Sequence, residues 1–106
     1  MKTTEDTILL DFYGNLLTDK MRNTLELYLN EDLSLAEIAE SENISRQGVG
    51  DTVKRAIRQL REYEEKLGLA GRFSSQMTII NEAIDLIDGD DAEGARALLE
   101  ALKTEI

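Results

Sequence analysis

Two helix starts lie close together near the middle of the chain, separated by a single tight break. The first is Ser34, with Glu37 three residues on, an S-x-x-E capping box in which each side chain can bond the other residue's backbone N–H. Leu33 and Ile38 flank it as a hydrophobic staple. The short helix that follows turns Leu35, Ile38 and Ala39 inward and is broken by "SEN", Ser41–Asn43. Asn43 tolerates the left-handed conformation that a sharp inter-helix turn needs. Ser45 then caps a second helix whose apolar face is Val49, Val53, Ala56, Ile57, Leu60 and Leu67.

The spacing within this pair is restrictive. Ala39 is small enough to let two helices approach, Asn43 bends the chain four residues later, and Val49 plugs the junction six residues after that. This is the spacing of a helix-turn-helix, whose second helix can lie in a nucleic-acid groove. That second helix can run as far as Gly68. At 1.5 Å per residue it is long for a small core, so its far end, with Tyr63 and Leu67, requires a further partner.

The flanking sequence reads as helix too. From Thr4 to Leu17, Ile8, Phe12 and Leu16 recur at four-residue spacing beside Leu9, Tyr13 and Leu17, with Gly14 as a weak point. Thr18 caps a helix carrying Met21, Leu25, Tyr28 and Leu29, closed by Asn30–Asp32. After "GLAGRFSS", Gly68–Ser75, which reads as a loop, two more apolar stripes follow. Met77, Ile80, Ile84 and Ile87 form one, and Ala95, Leu98, Leu99 and Leu102 the other, separated by the turn "DGDD" of Asp88–Asp91. The expected architecture is all-α: a helix-turn-helix domain over residues 1–67 and an acidic C-terminal helical hairpin over residues 68–106. The absence of Pro agrees with it.

Composition narrows the chemistry. The 106 residues include no Cys and no His, which removes disulfides, thiolate metal sites and the commonest general base. No glycine-rich phosphate loop or activated-serine motif occurs, and paired carboxylates fall on exposed amphipathic faces. No catalysis and no cofactor are therefore expected. Asp85, Asp88, Asp90 and Asp91 lack the order and closing Glu of a calcium loop and read as turn and cap chemistry rather than a metal site. No apolar run approaches the roughly 18–20 residues of a membrane span, so membrane insertion is not expected and a cytoplasmic location is.

Charge is the tension in the sequence. There are 22 acidic and 12 basic residues, a net −10. Yet with Val49 facing inward, the opposite face of the second helix presents Gln47, Asp51, Lys54, Arg58 and Arg61, flanked by Arg46 and Arg55. The stretch from Arg46 to Arg61 carries +4, leaving −14 for everything else. The candidate nucleic-acid-binding residues are Arg46, Gln47, Asp51, Lys54, Arg55 and Arg58. Arg46 and Gln47 are suited to base edges, and Lys54, Arg55 and Arg58 to phosphates. Asp51 opposes phosphate but can accept a hydrogen bond from cytosine. The acidic remainder disfavours non-specific nucleic-acid binding and leaves DNA, RNA and protein all open as the partner.

The string from Leu16 to Leu60 resembles region 4 of bacterial sigma factors. More narrowly, Asp11–Leu67 resembles the YlxM family of small helix-turn-helix proteins, through "DFY", "LLT", "LSLAEIA", "SRQ", "KR" and "EYEEKL". That resemblance implies an accessory or regulatory role beside the signal recognition particle, through its RNA or its GTPases. A sequence-specific DNA-binding regulator is the alternative. The resemblance departs at Gly48 and Gly50, where relatives carry Ala and a bulky aromatic. Either a contact has been lost there or a backbone is allowed to approach closely. The long second helix and the two apolar C-terminal stripes also imply a homodimer, or packing of the hairpin over the stem. A two-fold dimer on DNA would set its recognition helices about one helical turn apart.

Overall fold

The computed structural model describes residues 3–105. It contains α1 (Thr4–Tyr13), a single 3₁₀ turn (Gly14–Leu16), α2 (Asp19–Leu29), α3 (Leu35–Glu42), α4 (Arg46–Leu67), α5 (Leu69–Asp88) and α6 (Ala92–Glu105), with no strand among the described residues. The chain divides into two compact units, one ending at Ala70 and one beginning at Gly71.

In the first unit the caps named above set the helix starts. The Thr18 hydroxyl accepts the Met21 N–H at 3.1 Å. Ser34 accepts from Glu37 N–H at 3.1 Å while Glu37 Oε1 accepts from Ser34 N–H at 2.9 Å, so the capping box is closed in both directions. Asn43 sits at φ 56°, ψ 43°, and the Ile44 N–H returns to the Ala39 carbonyl at 3.1 Å. Ser45 accepts the Gly48 N–H at 2.9 Å. Leu25, Ile38, Val49, Ala56 and Leu60 are fully buried where α4 packs against α1, α2 and α3.

Two local expectations are corrected. The first helix stops at Tyr13, because Gly14–Leu16 tighten into a 3₁₀ turn and Leu17 is extended. Its inward face is Asp6, Leu9, Leu10 and Tyr13, whereas Ile8 and Leu16 stay exposed, so the true stripe is offset from the one built on Ile8. The second correction concerns Gly68–Ser75, which is not a loop. Only Gly68 leaves the helical region, at φ 63°, ψ 24°, closing α4 with a left-handed cap; α5 starts at the next residue.

That restart has a tertiary cause. The first N–H groups of a helix need acceptors, and two of them find acceptors on α1 and α4. Leu69 N–H donates to Tyr13 Oη at 3.0 Å, and Ala70 N–H to Glu64 Oε1 at 3.0 Å. Tyr13 in turn donates its hydroxyl proton to Glu64 Oε1 at 2.5 Å. Burial and the hydrogen bond to Glu64 raise the Tyr13 pKa above its ordinary value. The far end of α4 is met here as well. Tyr63 stacks beside Tyr13, ring centroids 6.0 Å apart, and its hydroxyl donates to the Leu16 carbonyl at 3.4 Å, while Leu67 remains exposed.

In the second unit α5 and α6 form a hairpin. Ala83 on α5 and Ala95 and Leu102 on α6 are buried, with Ile79, Leu86 and Leu98 half-buried. The stripe read from sequence, Met77–Ile80–Ile84–Ile87, is a neighbouring face of α5, with Ile80 half-buried and the other three exposed. The turn is closed by the Asp91 N–H donating to the Leu86 carbonyl at 2.7 Å, with Asp90 at φ 63°. Asp91 Oδ1 then accepts the Gly94 N–H at 2.9 Å and caps α6. Asp90 and Asp91 thus do turn and cap work.

Candidate nucleic-acid interface

α4 is 22 residues, about 33 Å long, and its two halves are used differently. Val49, Val53, Ala56 and Leu60 anchor one face along both halves. On the opposite face Arg46, Gln47, Asp51, Lys54, Arg55 and Arg58 are all exposed.

The structure brings five of these six into one strip and leaves one aside. Arg46, Gln47, Asp51 and Lys54 line a shallow groove of about 480 Å³ with Leu35 from α3 and Gly50. Lys54 also lines a second groove, of about 410 Å³, together with Arg58, Arg61 and the acids Asp6, Glu62 and Glu65. Lys54 therefore joins two depressions that follow the helix for several turns. Arg55 lines neither groove. Among the described residues no hydrogen bond or ion pair engages Arg46, Lys54, Arg55 or Arg58.

Arg61 is different. Its Nη2 donates to Asp6 Oδ1 at 3.0 Å, and the Asp6 side chain is 1% exposed against 57% for Arg61. Arg61 is paired with Asp6 of α1 and held as a structural cation, so the surplus over Arg46–Arg61 comes from four cations against Asp51. The second Asp6 oxygen, Oδ2, is buried with no hydrogen-bond partner among the described residues. Sequence reasoning missed Asp6 because a carboxylate is not expected on a core face. Its position one turn before Leu9, Leu10 and Tyr13 was the available signal.

The two glycines also take definite places. Gly50 is half-buried at the edge of the first groove, where a Cβ would meet only Leu35 Cδ1 at 3.7 Å. A larger side chain here would project beside Leu35, so glycine keeps the groove open. A Cβ on Gly48 would lie 3.1 Å from Ser45 Oγ, the oxygen that caps α4. Neither glycine has a positive φ.

A short capped helix, a left-handed Asn43 and a long second helix with an exposed cationic face define a helix-turn-helix protein. The chain belongs to the family described as "Putative helix-turn-helix protein, YlxM / p13 like", whose model matches residues 1–97. It is similar to a protein of that family from Desulforamulus reducens, 50% identical over 91% of this chain and 82% of the relative. It is also similar to YlxM of Bacillus subtilis, 43% identical over 96% of this chain and 94% of the relative. A third relative, from Halalkalibacterium halodurans, is 43% identical over 97% and 95% respectively. No helix among the described residues is long and apolar enough to cross a membrane.

Proposed function

We propose that this protein is a cytoplasmic, non-enzymatic accessory or regulator of the signal recognition particle pathway, binding the particle's RNA or its GTPases through the exposed face of α4. The pathway is what the resemblance of Asp11–Leu67 to the YlxM family implies, and the observation that carries the mode of action is the exposed strip Arg46–Lys54–Arg58, whose side chains make no ion pair among the described residues, beside two grooves. In this reading Arg46 and Gln47 discriminate, Lys54, Arg55 and Arg58 contact phosphate or acidic side chains, and Asp51 rejects a poorly matched partner. The hairpin has a separate task, that of pairing two copies.

Few phosphate contacts are on offer. Four cations give a slope of log affinity against log salt no steeper than about −3.6 on a duplex. Co-purification with the particle's RNA or GTPases from lysate, with the nucleic acid kept intact, is the test. The expected result is their recovery with the wild-type chain and loss with a combined Arg46→Ala, Lys54→Ala and Arg58→Ala variant. No recovery, together with unchanged GTP hydrolysis by those GTPases when the protein is added, would overturn the reading. The second reading, a sequence-specific DNA-binding regulator, is favoured by Arg46 and Gln47 lying in the first exposed turn of α4, where helix-turn-helix proteins read bases. It requires a preferred DNA site whose affinity falls on Arg46→Ala.

A further inference from the structure

The exposed face of α4 has a gap at its centre. On a helix surface the neighbours of a residue lie three and four positions away, so Gly50 is framed by Arg46 and Gln47 on one side and Lys54 on the other. Asp51 stands beside it, and Leu35 of α3 completes the groove of about 480 Å³ that these six residues line. The row Arg46–Gly50–Lys54 carries a cation at each end, about 12 Å apart along the axis, and no side chain in the middle. The row beside it, Gln47–Asp51, carries an amide and a carboxylate. Gly50 and Leu35 are half-buried, and the four polar residues are exposed. Asp51 and Lys54 lie one turn apart, yet neither they nor Arg46 forms an ion pair among the described residues. A helix that reads duplex DNA presents protruding side chains to base edges. A gap suits instead a base that has left its stack.

We infer that this gap receives a single unpaired guanine from a loop or bulge of RNA. The assignment rests on the RNA arm of the function proposed above and names what that arm reads. Chemistry selects the base. A carboxylate only accepts hydrogen bonds, through two oxygens. Guanine alone among the four RNA bases offers it two adjacent donors, the N1–H and the 2-amino group of its Watson–Crick edge. Adenine and cytosine present one amino group beside an acceptor nitrogen, and uracil one N–H between two carbonyls, so each sets a lone pair against Asp51. In a duplex both guanine donors are spent on cytosine, so the same contact excludes a paired strand. Gln47, one turn from Asp51, can donate its amide N–H to guanine O6. Leu35 and the bare backbone of Gly50 give the ring an apolar surface, since a Cβ at Gly50 would meet only Leu35 Cδ1, at 3.7 Å.

Charge selects the kind of strand. Arg46 and Lys54, on either side of the gap, suit the phosphates before and after one nucleotide. So few contacts hold a polyanion weakly on a chain of net −10, and affinity has to come from the base itself. Unstacked bases are standing features of RNA loops and bulges, where sequence-specific RNA recognition is concentrated. An acidic protein surface fits less well, because carboxylates that satisfied Arg46 and Lys54 would also face Asp51 between them.

The test uses the full chain and a short RNA hairpin with an A·U stem and one guanine in its loop, followed by fluorescence anisotropy. Replacing that guanine by inosine, which lacks the 2-amino group, or by uridine should weaken binding about tenfold, within the range of a good bidentate base contact. Moving it into the stem opposite cytosine should do the same. Asp51→Asn gives the sharper sign. If Asp51 only repelled phosphate, its neutralisation would tighten binding to every RNA and leave the preference for guanine over inosine unchanged. If it reads the base, that preference should vanish. Gly50→Leu, which fills the gap and raises helix propensity, should erase the preference too, with helical circular dichroism intact. Equal affinity for the guanine and inosine hairpins, a preference kept when the guanine is paired, or one that survives either variant would overturn the inference. Partner capture reports separately. Recovery of the particle's RNA or GTPases by wild type, Asp51→Asn and Gly50→Leu alike, but not by the combined Arg46, Lys54 and Arg58 variant, would sink this inference and leave the proposed function standing. A guanine preference without any capture would do the reverse.

Discussion

Arg61→Ala is expected to act on stability and leave nucleic-acid binding alone, although Arg61 shares a helix face with Arg58. Its guanidinium lies 3.0 Å from a carboxylate that is 1% exposed, while Arg61 itself is 57% exposed. Two unit charges about 4 Å apart attract by about 4 kcal/mol at the effective dielectric of a protein surface. Screening of the half-exposed guanidinium and the desolvation of Asp6 reduce this to a net coupling of roughly 1–2 kcal/mol. All three tyrosines, Tyr13, Tyr28 and Tyr63, fall in the first unit, so tyrosine fluorescence reads its unfolding without the hairpin. A cycle of wild type, Arg61→Ala, Asp6→Asn and the double variant, unfolded in urea, should show that coupling energy. Each single variant should lower the melting temperature by about 4–8 °C per kcal/mol lost. In a binding assay Arg61→Ala should leave the salt slope unchanged, whereas Arg58→Ala should reduce it by about 1. Single variants that add within about 0.5 kcal/mol, or a salt slope that falls for Arg61→Ala, would refute the assignment of Arg61 to the fold.

The two α4 glycines should separate under one substitution. Gly50→Ala has room beside Leu35 and should stabilise the first unit by about 1 kcal/mol in urea unfolding, whereas Gly48→Ala presses on the Ser45 cap oxygen and should gain little or nothing. Asn43→Gly should be tolerated at φ 56°, but Asn43→Ala should lower stability by about 1 kcal/mol, as thermal melts would register. Because the Tyr13 pKa is raised in the folded state, the folded protein holds this proton more tightly than the unfolded chain. Its contribution is complete below the ordinary tyrosine pKa near 10 and is lost as pH rises above it. Melts between neutral and alkaline pH should show that decline, and Tyr13→Phe should flatten it while lowering stability at neutral pH, since Leu69 N–H then loses its acceptor.

Local signals carried most of this fold, and tertiary ones carried what local reasoning missed. Thr18, Ser34, Asn43 and Ser45 act within four residues of themselves, so their caps and turn were legible in the chain. Gly68–Ser75 was not, because nothing in "GLAGRFSS" reveals that Tyr13 and Glu64 will supply the acceptors for a new helix. Asp6 was hidden for the same reason, since its partner lies 55 residues away. In the hairpin, periodicity found two apolar stripes but could not say which face would pair within the chain. The small Ala83 is buried, and the bulkier Met77 and Ile84 are left exposed. At the candidate interface, the exposure of the six named residues was readable from the wheel, but their division was not. Arg55 lies apart from both grooves, and the neighbouring Arg61 is tied to Asp6 of α1.

An acidic chain and a cationic helix face are therefore compatible functions of one sequence. Over a Debye length of about 8 Å at physiological salt, a partner at the proposed α4 face would respond mainly to Arg46, Lys54, Arg55 and Arg58. Farther out it meets a net −10 that discourages loose, sequence-blind attachment to nucleic acid. With only four cations free of ion pairs, and with Asp51, Glu62 and Glu65 lining the grooves beside them, long-range attraction is too weak to hold a poorly fitting polyanion. In the proposed reading what remains is contact at close range, where Gln47, Asp51 and the open groove at Gly50 would determine what fits. A surface of that kind selects by shape and hydrogen bonding, and tolerance to salt should separate its proper partner from every other polyanion. For the proper partner, affinity should fall by no more than the slope set by four contacts, while non-cognate duplexes should already be released at low salt.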